Sequence, residues 1–170
     1  MELTSRKLNR LKKFDYGGNG AYFVTICVQG KHEMLWQSHV GAIINRPHEP
    51  NILSGYGLIA ENAISNISQY YPCIIVDKYV IMPNHIHMIL AVHRHEDSSG
   101  RLIIAPTIST VIQQFKRYVS KQFGFSLWQK SFHDHIIRDE QEYEMIWDYI
   151  DQNPLIWAED CYFTTHNPPL

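Results

Sequence analysis

The sequence predicts one α+β domain in which an antiparallel sheet is covered by helices on one face. Strand-like runs and helical patterns follow one another in the order strand, helix, strand, strand, helix, strand, helix. Two of the strand-like runs are separated only by a Pro-Asn pair, which is typical of an antiparallel hairpin. We find no repeat, linker or low-complexity segment, so residues 1–170 are treated as a single domain.

The first half of the chain contains one strand and one helix ahead of the hairpin. The strand is predicted at 21–28, where β-branched and aromatic residues follow a glycine-rich stretch. Two prolines indicate a loop over 29–53, with a short strand at 40–45. A helix is predicted after Ser54, and its apolar stripe comprises Ile59, Ala63, Ile64, Ile67 and Tyr71.

The second half begins with the two hairpin arms, predicted at 73–82 and 85–92 and followed by a polar tip at 93–100. A second helix is predicted from Thr107 to Gly124, because glycine commonly ends helices. Its outward-facing basic residues include Lys116 and Arg117, and its apolar stripe comprises Ile108, Val111, Ile112, Phe115 and Val119.

A short strand around 135–137 precedes the third predicted helix. Asp139 and Glu140 open this helix, where acidic residues are favourable, and Pro154 limits it. Its apolar stripe comprises Tyr143, Ile146, Trp147 and Ile150. The residues from 160 to 170 are interpreted as a C-terminal tail.

Composition excludes several classes of protein. With 45% hydrophobic, 19% charged and 12% aromatic residues, the chain is typical of a globular protein and not of a disordered one. No apolar run approaches the roughly 20 residues of a membrane helix, and the N-terminus lacks the apolar region of a signal peptide. The three cysteines are few and far apart, which argues against a disulfide framework or zinc knuckle. We therefore expect a cytoplasmic protein with no membrane partner.

Basic residues are concentrated at the N-terminus, although the net charge of the chain is −2. Residues 1–13 contain five basic residues and one acidic residue. Such an arm could contact phosphates through Arg6, Lys7 and Arg10, and a solvated leader is an equal alternative.

The segment Met82-Pro83-Asn84-His85-Ile86-His87 is the most informative part of the sequence. Successive side chains of a strand alternate between its faces, so His85 and His87 share one face while Ile86 enters the core. Two adjacent imidazoles on a rigid strand make half of a divalent-metal site. A second His-x-His, at 133–135, carries an acid that would face away from both of its histidines; we interpret it as strand-edge structure or a DNA contact.

Tyr149 and Asn153 are four residues apart on the third helix and therefore lie on one helical face. A tyrosine directed at a two-histidine metal site suggests covalent catalysis on a phosphodiester, in which the phenolate attacks phosphorus. The spacing alone leaves open the alternative that Tyr149 is a core aromatic residue.

Several motifs occur in the order seen in the IS200-like tyrosine transposases, and the chain resembles the REP-associated branch of that family. The similarity spans roughly residues 6 to 160, nearly the whole chain. The motifs are Tyr22-Phe23-Val24-Thr25, Val80-Ile81-Met82-Pro83-Asn84-His85-Ile86-His87, Phe115-Lys116, Trp128-Gln129, His133-Asp134-His135-Ile136-Ile137-Arg138 and Tyr149-Ile150-x-x-Asn153-Pro154.

The resemblance implies a ferredoxin-like, RRM-like sheet that carries the HUH motif (histidine, hydrophobic residue, histidine). Enzymes of this family cut and join single-stranded DNA at hairpin-bearing ends, using Mg²⁺ or Mn²⁺ and one tyrosine. By position, His85 and His87 match the metal ligands and Tyr149 matches the nucleophile. Asn153 matches a polar residue that completes the metal sphere.

The resemblance implies a metal-dependent single-stranded DNA endonuclease and strand transferase, associated with the nucleoid. A non-catalytic nucleic-acid-binding domain on the same fold is the alternative, and a hydrolase that uses water is a third possibility. The family contains dimers and monomers, so a homodimer stays open. Candidate DNA contacts outside the N-terminal arm are Lys116, Arg117 and Arg138, for each of which a solvated position is an equal alternative.

Overall fold

The computed structural model describes residues 20–37, 53–93 and 106–163. Four of the predicted segments lie largely or wholly outside these ranges. The arm at 1–13 with Arg6, Lys7 and Arg10, the short strand predicted at 40–45, most of the polar tip and residues 164–170 of the predicted tail lie outside the described residues.

Four strands form one antiparallel sheet in the order β2-β3-β1-β4. The strands are β1 (Gly20–Cys27), β2 (Ile74–Ile81), β3 (His85–Val92) and β4 (His133–Ile137). β1 and β3 are therefore the interior strands, and their register places Cys27 opposite His85 and Thr25 opposite His87. This order, with one helical crossover before β2 and another before β4, confirms the ferredoxin-like α+β fold.

The helices are α1 (Gly55–Ser65), the short α2 (Ile67–Tyr70), α3 (Ile108–Phe123) and α4 (Glu140–Gln152), and a 3-10 helix follows at Asn153–Glu159. Polar side chains cap the long helices as their sequences indicate. For example, Asp139 Oδ1 accepts the backbone N–H of Glu142 at 2.8 Å at the start of α4. At the end of α3, Gly124 adopts the left-handed conformation that glycine readily supplies. None of the helices in the described part of the chain is long and apolar enough to span a bilayer.

The two faces of the sheet are covered differently. Tyr22, Val24 and Ile26 of β1 join Ile86, Met88 and Leu90 of β3 in the main core, together with residues of α1 and α3. α1 and α3 thus lie on one face, as predicted. α4 does not: Ile150 packs against Ile89 and Ile137, whose side chains point to the opposite face. This second face is the one that carries His85 and His87.

A close approach of backbone to backbone explains a glycine in the first turn of α1. A Cβ atom added at Gly57 would lie 2.2 Å from the carbonyl oxygen of Leu35, whereas one added at Gly55 would meet nothing within 4 Å. We expect Gly57→Ala to lower the free energy of unfolding by about 2 kcal/mol, since overpacking against backbone has no low-energy relaxation.

The matched variant Gly55→Ala should be neutral or stabilising by up to about 1 kcal/mol, because alanine has the higher helix propensity. Urea unfolding followed by circular dichroism measures both values. Equal stability of the two variants would contradict the close approach.

Candidate metal and nucleophile site

The histidine pair lies at the first and third positions of β3, on the face covered by α4. Both imidazoles are buried, with exposed fractions of 0% for His85 and 1% for His87. Their Nε2 atoms are 3.0 Å apart. Because β3 has a hydrogen-bonded neighbour on each side, the backbone fixes this convergence.

Each Nδ1 atom is engaged by a polar side chain. His85 Nδ1 lies 2.9 Å from Asn84 Oδ1, and His87 Nδ1 lies 2.8 Å from the Thr25 hydroxyl. Because an amide oxygen can only accept, His85 carries its proton on Nδ1 and leaves the Nε2 lone pair available. Hydrogen bonds of this type orient the histidine ligands of metal sites.

Burial lowers the pKa of His85 to about 3, and the positive charge of Lys31 lowers it further. Burial also lowers the pKa of His87 to about 3, and the neighbouring His85 adds to the effect. Both imidazoles are therefore uncharged at neutral pH, which is the state that binds a metal ion.

The lowered pKa values predict that the protein loses stability in acid. Between pH 6.5 and about 3 the unfolded chain protonates these histidines while the folded chain does not. The free energy of unfolding should therefore fall by up to about 1.4 kcal/mol per pH unit for each histidine. Urea unfolding in metal-free buffer between pH 7 and pH 5 measures this slope. A double variant, His85→Gln with His87→Gln, should give a shallower slope; an equal slope would assign the acid sensitivity to other groups.

Tyr149 lies on α4 with its hydroxyl 3.3 Å from His87 Nε2. Its ring contacts the His87 ring at a centroid distance of 5.3 Å and the edge of Phe23 at 6.1 Å. The side chain is 37% exposed, so it lies at the rim of the site and not in the core. Burial, and next the charge of Asp160, raise the pKa of Tyr149 to about 12. Ionisation of this phenol therefore needs a neighbouring positive charge.

Asp160 completes a cluster that sequence reasoning missed. One ligand atom from each of His85, His87 and Asp160 can be chosen so that all lie within 4.8 Å of one another. Asp160 follows the 3-10 helix, in a segment that the sequence analysis interpreted as a tail. The only signal in the sequence was an acidic residue eleven positions after the candidate nucleophile.

Asn153 is fully buried beside this cluster. Its Nδ2 donates to Asp160 Oδ2 at 2.9 Å, and its Oδ1 has no hydrogen-bond partner. A buried oxygen without a partner is costly unless an additional group satisfies it. Asn153 therefore supplies either a ligand oxygen or the orientation of Asp160.

These donors fit a divalent cation. Two adjacent ligands on an octahedral ion with bonds of about 2.1 Å are about 3 Å apart, which agrees with the Nε2–Nε2 separation of 3.0 Å. Uncharged imidazoles together with a carboxylate suit Mn²⁺ and related ions. The residues that could hold the ion are His85, His87, Asp160 and Asn153.

Of the predicted DNA contacts, Lys116, Arg117 and Arg138 lie in the described segments, and none of the three is in contact with the histidine pair. The Lys116 ammonium donates to the carbonyl oxygens of Gln129, Lys130 and Ser131. Its contact with phosphate stays a prediction. Arg117 is exposed on α3, across the sheet from the histidines. Arg138 is exposed after β4, and its backbone N–H donates to Glu142.

The second His-x-His makes a structural contact. His135 Nε2 lies 2.6 Å from Glu142 Oε1, so this imidazole joins β4 to the first turn of α4. This contact agrees with the interpretation of the segment as strand-edge structure.

Comparison with known proteins finds two relatives of this chain. An uncharacterized protein of Haemophilus influenzae is 33% identical over 91% of this chain and 91% of its own length. A putative REP-associated tyrosine transposase of the same organism is 24% identical over 83% of this chain and 73% of its own length. The chain is thus similar to a named REP-associated tyrosine transposase.

A solved structure has a similar fold. It is a REP-associated tyrosine transposase bound to a REP hairpin, and it matches 91% of this chain and 76% of its own length with a TM-score of 0.57 and 18% identity. No family model matches the sequence. The relatives support a transposase role for the chain.

Proposed function

We propose that this protein is a transposase, a metal-dependent single-stranded DNA endonuclease and strand transferase that acts through a covalent 5′-phosphotyrosine at hairpin-bearing DNA. The observation that carries the proposal is the 3.3 Å distance between the Tyr149 hydroxyl and His87 Nε2, beside two buried, uncharged imidazoles. All of these groups belong to one chain, so the arrangement needs no second subunit. A homodimer remains a prediction.

The proposed reaction is a displacement at phosphorus. Tyr149 gives its proton to solvent, and the phenolate oxygen forms a bond to phosphorus while the bond to the 3′-oxygen breaks and that oxygen takes up a proton from solvent. The departing strand leaves with a 3′-hydroxyl, and the 5′-phosphate stays on Tyr149. Attack by another 3′-hydroxyl reverses the step and joins strands. The carboxylate nearest the phenol is Asp160, with Oδ2 at 3.5 Å.

His85 and His87, with Asn153 as a further donor, would hold the ion. When bound, Mg²⁺ or Mn²⁺ would polarise a non-bridging phosphate oxygen and stabilise the charge on the leaving 3′-oxygen. The chain itself contributes the rigid positions of the ligands and a site whose imidazoles are protected from water.

Aromatic rings around the histidines support a single-stranded substrate. Phe23 stacks on His87 with a centroid distance of 5.1 Å, and Tyr162 and Trp157 lie 4.5 and 5.8 Å from the His85 ring. Aromatic rings of this kind bind unpaired bases by stacking, without strong sequence preference. The hairpin itself is proposed from the REP-associated relative.

A covalent-adduct assay tests the proposal. A panel of hairpin oligonucleotides labelled at the 3′ end is incubated with the protein and Mn²⁺, and denaturing gels then report label attached to the protein. Formation of an adduct is expected because the 5′-phosphate of the labelled fragment stays on Tyr149. Retention of DNA without cleavage would favour the non-catalytic binding domain, and cleavage without an adduct would favour water as the nucleophile.

A further inference from the structure

We propose that Asp160 is a protein ligand of the metal ion, and that Asn153, in addition to its role as a further donor, orients the Asp160 carboxylate through its Nδ2 group. This inference rests on the proposed function, since it assumes an ion at His85 and His87. The first support is distance, because ligand atoms of the three residues lie within 4.8 Å of one another. Two histidines and one carboxylate are a recurrent ligand set that leaves other positions of the ion open to substrate.

The second support is the number of groups that fix the Asp160 carboxylate. The backbone N–H of Tyr162 donates to Oδ1 at 2.6 Å, and Asn153 Nδ2 donates to Oδ2 at 2.9 Å. Ligating carboxylates in metal sites are themselves hydrogen-bonded in this way. The carboxylate is therefore held next to the imidazoles and does not swing freely in solvent.

The third support is a direct connection between Asp160's segment and the first histidine. Asn84 Nδ2 donates to the carbonyl oxygen of Tyr162 at 2.8 Å, while Asn84 Oδ1 accepts from His85 Nδ1 at 2.9 Å. One buried side chain thus fixes the tautomer of His85 and the position of the segment that carries Asp160. Asn84 is fully buried, so its side chain is shielded from solvent.

The fourth support is charge. Two uncharged imidazoles and an amide offer a dication no negative charge, whereas Mg²⁺ and Mn²⁺ favour carboxylate oxygens. Among the described residues, His85 and His87 form a group that could hold a metal ion with one carboxylate, that of Asp160. Without Asp160, the proposed site would bind such ions weakly.

Manganese titration of the full chain, without DNA, tests this role independently of catalysis. Affinity is measured by calorimetry and by the electron paramagnetic resonance signal of free Mn²⁺. Asp160→Ala should weaken binding by roughly 100-fold or more, and Asn153→Ala by roughly 10- to 100-fold, the range for outer-shell partners. The matched variant Glu159→Ala, at the adjacent exposed carboxylate, should stay within about twofold of wild type.

A cysteine at position 160 gives a positive test. In a Cys161→Ser background, Asp160→Cys with Co²⁺ should show a thiolate-to-cobalt charge-transfer band, because a thiolate at this position would ligate directly. Glu159→Cys in the same background should show no such band. A role of Asp160 in local structure alone would not produce this signature. Circular dichroism and thermal melts check that each variant is folded. Asp160→Asn serves as the conservative variant, because it keeps the size of the side chain and one acceptor oxygen but replaces the other oxygen with an uncharged NH₂ donor.

The outcomes separate the two proposals. If His85→Ala loses Mn²⁺ binding while Asp160→Ala binds like wild type and Asp160→Cys gives no band, the ligand role of Asp160 is overturned and the proposed function stands. If wild-type protein binds no Mn²⁺ at all, both proposals fail. Weakened binding with the charge-transfer band supports Asp160 as a ligand.

Discussion

Tyr149→Phe is expected to abolish the covalent protein–DNA adduct while leaving hairpin binding within a few-fold of wild type. Loss of a nucleophile removes the reaction path itself, so adduct formation should fall by roughly 10³-fold or more. The phenylalanine ring keeps the contacts with His87 and Phe23, since those contacts involve the ring and not the hydroxyl. Denaturing gels measure the adduct, and fluorescence anisotropy measures binding.

Tyr143→Phe is the matched control, because Tyr143 lies on the same helix with its hydroxyl 3.2 Å from Asp77 Oδ2. It should form the adduct at a rate close to that of wild type. An adduct in the Tyr149→Phe variant would show that another residue is the nucleophile. Loss of the adduct in both variants would indicate that the integrity of α4, and not one hydroxyl, was measured.

His85→Ala is expected to remove DNA cleavage together with its dependence on Mn²⁺. A bound cation contributes several kcal/mol to the stabilisation of charge in a phosphoryl-transfer transition state, which corresponds to roughly 10³-fold in rate. Cleavage is measured across a Mn²⁺ titration, because complete loss of Mn²⁺ binding and weaker Mn²⁺ binding give different curves. If His85→Ala cleaves DNA at the wild-type rate when no metal is added, the mechanism does not use the ion.

The control for this variant is His135→Ala. His135 belongs to the second His-x-His and pairs with Glu142, so its removal deletes an imidazole of the same sheet without changing the proposed ligands. We expect cleavage and Mn²⁺ dependence close to those of wild type. Circular dichroism at the assay temperature confirms that both variants are folded.

Local patterns were sufficient to predict β1 to β4 and the three long helices, α1, α3 and α4. The alternation of side chains along β3 placed Ile86 in the core and both histidines on the other face, and the structure agrees. The apolar stripe of α4 predicted that one side of the helix is buried against another element. It did not say which face of the sheet, because amphipathicity specifies a buried side and not its partner. The partner, formed by Ile89 and Ile137, depends on tertiary packing.

The site was less predictable where long-range contacts determine it. The position of Lys116 on an amphipathic helix predicted that its ammonium points into solvent or to a phosphate. The sequence did not show that the ammonium donates to the backbone carbonyl oxygens of the loop at 129–131. Asp160 lies after a helix end in a segment without periodicity, so no pattern connected it to residues about 75 positions earlier. Only its neighbours in space give it a chemical role.

The interior position of β3 affects the order in which parts of the protein unfold. The backbone that carries the imidazoles is hydrogen-bonded on both edges, so its amides exchange with solvent only when the whole sheet opens. The helix that carries the phenol packs on the sheet through a smaller cluster, with Ile150 as its buried residue, so we expect its amides to exchange in a sub-global opening. A substitution on β3 is therefore expected to change the stability of the whole sheet, whereas one at Tyr149 is expected to change only the local stability of α4.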